Sequence, residues 1–169
     1  MGLDFFASFI AGDRLATDLL PSRPFDDAAW AEAARRASGR GLAPGLLDEL
    51  RRQSAALPPS PAREAQLDLL GRRDATVVVT GQQVGLFLGP LYTLHKAATV
   101  VARALQVTRL TGLPCVPVFW LQTEDHDWAE ISRAEVLVKS GRHGLSLPPE
   151  LPSAARVSLA DRTLPGEVD

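Results

Sequence analysis

The apolar positions follow two kinds of pattern. Up to about residue 72 they recur at helical spacing between polar residues; from about residue 73 they gather into short unbroken runs. In the first part, Asp26 or Asp27 can cap a helix whose apolar stripe is Trp30, Ala33, Ala34 and Ala37, ended by Gly39 and Gly41. A second helix begins near Pro44, carries Leu46, Leu47 and Leu50, and stops before Pro58 and Pro59. Ser60 and Pro61 then supply an N-cap and a first-turn proline for a third helix that runs to about Leu70 and closes at Gly71.

The second part opens with Thr76, Val77, Val78, Val79 and Thr80, a β-branched run without alternation. Such a run predicts a strand buried on both faces, as in a parallel sheet. A glycine-rich loop follows, with Gly81 turning the chain after the strand and Gly85, Gly89 and Pro90 leading into a long helix. Leu91, Leu94, Ala98, Val101 and Leu105 place one apolar stripe on that helix, its expected packing face, and Gly112 and Pro114 end it. Residues 115–121 form a second buried run. Strand, helix and strand make a βαβ unit, which crosses over right-handed. Residues 134–138 alternate weakly and suggest a third strand; beyond Leu147 the chain is proline-rich connector with a short strand at 156–159. The expected fold is α/β: a helical region, 1–72, then the start of a parallel sheet, 73–169. Ending in connector, the sequence is expected to be part of a longer chain.

Composition narrows this further. The formal charge is −2, so nothing draws the chain globally to nucleic acid or an anionic membrane. The arginine pairs Arg35-Arg36, Arg51-Arg52 and Arg72-Arg73 read as solvated helix faces. The single cysteine, Cys115, allows no disulfide within the chain and reads as a small buried hydrophobe. No apolar stretch approaches the ~20 residues of a membrane helix, and the apolar residues near the N-terminus lack a basic flank. A cytoplasmic protein is the expectation.

Parallel strands point the same way, so the segments that follow them emerge on one edge of the sheet, where open α/β proteins bind ligands. The βαβ reading therefore brings residues 80–96 and 122–127 together. Gln82 and Gln83 can each donate and accept, which suits orientation of a polar ligand; the alternative is a plain strand-to-helix connection. The spacing matches neither GxGxxG nor GxxxxGK[ST]. In the first turns of the long helix, Lys96 can neutralise a phosphate or carboxylate and His95 can bond a ligand, unless both are ordinary surface residues. Glu124, Asp125, His126 and Asp127 follow directly on an apolar strand, where burial of charge is costly unless it meets water, a metal or a ligand. His126 can act as a general base with a neighbouring carboxylate fixing its tautomer. Capping of the next helix by Asp125 or Asp127 explains part of the same pattern. His143, between Gly141 and Gly144, reads as a loop residue.

Two long blocks carry a resemblance. Residues 78–96, Val-Val-Thr-Gly-Gln-Gln-Val-Gly-Leu-Phe-Leu-Gly-Pro-Leu-Tyr-Thr-Leu-His-Lys, and residues 116–131, Val-Pro-Val-Phe-Trp-Leu-Gln-Thr-Glu-Asp-His-Asp-Trp-Ala-Glu-Ile, are similar to the bacillithiol biosynthesis cysteine-adding enzymes, a family of cysteine ligases. Residues 14–18 are similar more loosely. The resemblance implies a Rossmann-like core of the nucleotidyltransferase and class I synthetase type, here only its N-terminal portion. It implies addition of cysteine to glucosaminyl-malate, activation by ATP or another nucleotide, and a homodimer through a C-terminal coiled coil absent from these residues; with no second ligand cluster beside residues 124–127, no metal is expected. Carried over by position, Thr80, Gly81, Gln82, Gln83, Gly89, Thr93, His95, Lys96 and Glu124 would line the substrate pocket. In the ligase reading His126 would accept the amine proton, held by Asp125 or Asp127. These residues alone are expected to be inactive. Two other readings stay open: a non-catalytic nucleotide or small-molecule binding domain, and a metal-dependent hydrolase at residues 124–127.

Overall fold

The computed structural model describes residues 5–20, 25–124, 127–147, 158 and 161. The chain forms α1 (Phe5–Ala11), α2 (Arg14–Leu19), α3 (Asp27–Ala37), α4 (Leu46–Ser54), α5 (Pro61–Leu70), β1 (Thr76–Gln83), a 3-10 turn (Leu86–Leu88), α6 (Leu91–Thr111), β2 (Cys115–Gln122), α7 (Trp128–Ile131), β3 (Arg133–Val138) and β4 (Gly141–Ser146). The strand suggested at 156–159 lies outside the described residues. Contacts gather into two units, residues 1–78 with 103–116 and residues 79–102 with 117–169.

In the first unit the helices start where their caps place them. Asp26, rather than Asp27, caps α3: its Oδ1 accepts from the amides of Ala28 and Ala29 at 2.9 and 3.1 Å. Ser60 Oγ accepts from the Arg63 amide at the start of α5, at 3.3 Å, with Pro61 in the first turn. On α3 the covered positions are Ala31 and Ala34 with Trp30 half-buried, while Ala33 is exposed. Ala34, Ala104, Val107 and Cys115 form the core, with Trp30 and Val78 packed on it. Burial pushes the Cys115 thiol above its ordinary value, so it stays a protonated apolar filler.

The long helix packs through a different face from the one its leucines suggest. Ala104 is 1% and Val107 2% exposed, whereas Val101 is 47% and Leu105 57% exposed. Leu91 and Leu94 are exposed as well. Apolar residues occupy both sides of α6, so periodicity does not choose between them; the side that carries the smaller residues fits against its neighbours.

β1 and β2 pair as a two-stranded sheet. The Thr76 amide donates to the Pro114 carbonyl at 2.9 Å, and five residues on Gly81 lies against Trp120, so both strands advance in the same direction and are parallel. Burial alternates along β1: Thr76, Val78 and Thr80 are covered, Val77 and Val79 exposed. The strand is therefore buried on one face, not both. In the second unit, β3 and β4 form an antiparallel hairpin from Arg133↔Ser146 to Val138↔Gly141. The suggested third strand belongs to this separate sheet. His143 is a β4 residue opposite Val136 and not part of a loop.

Candidate ligand site at the end of the first strand

Gly81, Gln82 and Gln83 are the last residues of β1. Gly81 is therefore not a turn residue. A Cβ there would lie 2.8 Å from the Trp120 carbonyl oxygen, so the close passage of β2 demands glycine. The turn comes later and is strained. Phe87, Leu88 and Gly89 have φ of 49°, 75° and 71°, a left-handed run that costs the two L-residues roughly 1–2 kcal/mol each. A Cβ on Gly85 would sit 3.1 Å from Gly89 Cα, which keeps that turn closed on itself. The Pro90 carbonyl accepts from the Thr93 amide at 2.9 Å as α6 begins.

From this frame a polar network joins three elements. Lys96 Nζ, on the second turn of α6, donates to the Gly81 carbonyl at 3.2 Å and to Gln82 Oε1 at 2.7 Å. Gln82 Nε2 donates to Tyr92 Oη and to Glu130 Oε1, both at 3.0 Å. Gln83 Nε2 donates to the Asp127 carbonyl at 3.3 Å. The Lys96 ammonium lies 5.1 Å from the centre of the Tyr92 ring. Asp127 caps α7, its Oδ1 accepting from the Glu130 amide at 3.1 Å, which is the capping role the sequence allowed.

The twelve residues singled out from the sequence divide accordingly. Gly81, Gln82, Gln83, Lys96 and Asp127 meet in the network. Thr80 precedes it on β1. Gly89 and Thr93 are neighbours: the Gly89 Cβ position is 3.6 Å from Thr93 Oγ1, a buried hydroxyl with no hydrogen-bond partner. Such a group costs about 1–3 kcal/mol until a partner completes it. His95 and Glu124 are exposed and make no described contact with the network. Asp125 and His126 lie outside the described residues. Among the described residues no three His, Cys, Asp or Glu side chains are grouped to hold a metal. Among them, too, no helix is long and apolar enough to cross a membrane.

The arrangement offers a cation whose described partners are uncharged, a carboxylate 34 residues away in sequence, and donors and acceptors held between them. A family model, bacillithiol biosynthesis BshC, N-terminal Rossmann-like domain, matches residues 4–166. The chain belongs to the BshC family. Its fold is accordingly Rossmann-like α/β, as the two sequence blocks implied. A protein of Salinibacter ruber named "Putative cysteine ligase BshC" is 40% identical over 139 residues, 79% of this chain and 25% of that protein. One of the same name from Heliobacterium modesticaldum is 34% identical over 170 residues, 95% of this chain and 31% of its own length. The match thus spans between a quarter and a third of the length of these two relatives.

Two members of the network in this BshC-family chain, Tyr92 and Glu130, were not distinguished in the sequence as site residues. Tyr92 sits one turn before Lys96, and that spacing was a usable signal. Glu130 reads as an ordinary first-turn acid of α7. Only the fold brings it to Gln82.

Proposed function

We propose that this chain carries the substrate-binding edge of a cysteine ligase that joins cysteine to glucosaminyl-malate in bacillithiol biosynthesis. The observation that carries the reading is the Lys96–Gln82–Glu130 network, placed at the strand-end edge of a domain whose relatives bear the cysteine ligase name.

Amide formation requires an amine nitrogen to attack an activated carboxyl carbon. The nitrogen then loses a proton and the activating group departs with the electron pair. A free carboxylate is a poor acceptor, so ATP or another nucleotide is the proposed source of activation. The groups this chain offers to its phosphates are the first turn of α6, Gly89 and the unpaired Thr93 hydroxyl. His126 is the proposed acceptor of the amine proton, oriented by Asp125. Asp127 contributes by capping α7 and holding Glu130 in place. Homodimerisation through a coiled coil and a cytoplasmic location belong to the same proposal.

The test is the rate of amide formation by the protein that carries this chain, with and without ATP, in wild type and His126→Ala. The expected result is ATP dependence and a loss of about 100-fold or more in the variant. An unchanged rate in His126→Ala removes the base role, and indifference to nucleotide removes the activation step.

A further inference from the structure

Gln82 is held as an insulator between two opposite charges. Its carbonyl oxygen takes the Lys96 ammonium at 2.7 Å, and its amino group reaches the Glu130 carboxylate at 3.0 Å. A cation on one side and an anion on the other leave a single workable orientation of the amide. Because the amide lies between them, Lys96 and Glu130 do not neutralise each other directly. Each keeps unused capacity. The ammonium has three N–H groups, of which two go to Gly81 and Gln82. The carboxylate binds Gln82 through Oε1 and retains Oε2.

Both groups stand on anchored backbone. Lys96 belongs to the long helix α6. Glu130 is fixed through its own amide to Asp127 Oδ1, and the Asp127 carbonyl is tied to Gln83 on β1. The Tyr92 ring walls the ammonium on one side, and its hydroxyl shares the Gln82 amino group. One fixed positive and one fixed negative group, spaced by a carboxamide, suit neither a phosphate nor a dicarboxylate, each of which would be repelled by Glu130.

We infer that Lys96 and Glu130, held apart by Gln82, form a two-point subsite for the head group of a free α-amino acid. Its carboxylate takes the remaining Lys96 N–H, and its ammonium donates to Glu130 Oε2. The ligand repeats the acceptor-then-donor order of the Gln82 amide, with three bonds between its charged atoms against two in the amide. This deepens the ligase reading and rests on it only for the location of the site; Glu130 is assigned from geometry alone.

Binding decides it. The chain is titrated with L-cysteine, L-serine, cysteamine, which lacks the carboxylate, and 3-mercaptopropionate, which lacks the ammonium. Both amino acids are expected to bind about tenfold or more tightly than either truncated ligand. Glu130→Gln should weaken cysteine by a similar factor without weakening 3-mercaptopropionate; Lys96→Met should weaken cysteine without weakening cysteamine. Circular dichroism checks that the variants fold, and the four-ligand series on wild type needs no variant. Equal affinity for the truncated ligands, undiminished cysteine affinity in folded Glu130→Gln, or no binding of either amino acid by wild type overturns the subsite. Amino-acid binding by this chain, with no amide formed by the longer protein that carries it, would sink the ligase reading and leave the subsite standing.

Discussion

A methyl group added at Gly81 would meet the Trp120 carbonyl oxygen at 2.8 Å, and backbone cannot swing aside as a side-chain tip can. Gly81→Ala should therefore cost about 1–3 kcal/mol through forced displacement of the strands. Gly144→Ala, whose Cβ would meet nothing within 4 Å, should stay within about 0.5 kcal/mol. Urea midpoints of the two variants check the contrast, and equal midpoints contradict it. Asp127 permits a similar separation of roles. Asparagine caps as well as aspartate, so Asp127→Asn should keep its stability, whereas Asp127→Ala should lose about 1 kcal/mol. A loss of that size in Asp127→Asn would show that charge, not capping, holds α7. Gln82, Gln83 and Lys96 were legible from the sequence as polar groups set among apolar ones. Glu130 was not, because its partner is 48 residues earlier and nothing local marks it.

Among the elements, the caps at Asp26 and Ser60 and the strand–helix–strand order were readable from residue types. Two features were not. β1 runs on through Gly81, a residue type depleted in strands, and through Gln82 and Gln83, which are not strand formers; its partner β2, not local propensity, extends it. α6 has apolar residues on both sides, and the leucine-rich stripe is the exposed one. The choice of face has a direct consequence. Val107→Ala should destabilise by about 1–3 kcal/mol, while Leu105→Ala should stay within about 0.5 kcal/mol despite losing the larger side chain. Thermal unfolding of the pair decides between the faces, and a larger loss at Leu105 would reverse the assignment.

For the molecule as a whole, the buried thiol sets a limit at alkaline pH. Burial raises Cys115 above the ordinary 9.0, so the unfolded chain ionises first. Below that pH both states hold the proton and stability is unaffected; above it stability falls as pH rises. Cys115→Ala should flatten that fall, measured by denaturation at pH 8 and about pH 10; identical slopes would mean the thiol is not shielded. Family membership was legible because residues 78–96 and 116–131 are long and ordered, and it supplies the α/β fold. The substrates were legible only through that resemblance, since hydrogen-bonding groups at a strand edge do not name what they bind. The most direct measurement is mass detection of a new amide when the protein carrying this chain meets isotopically labelled cysteine, glucosaminyl-malate and ATP. The account predicts a labelled cysteinyl amide whose formation falls by about tenfold or more in Lys96→Met. Absence of the amide from folded wild-type protein, or its undiminished formation in that variant, would contradict it.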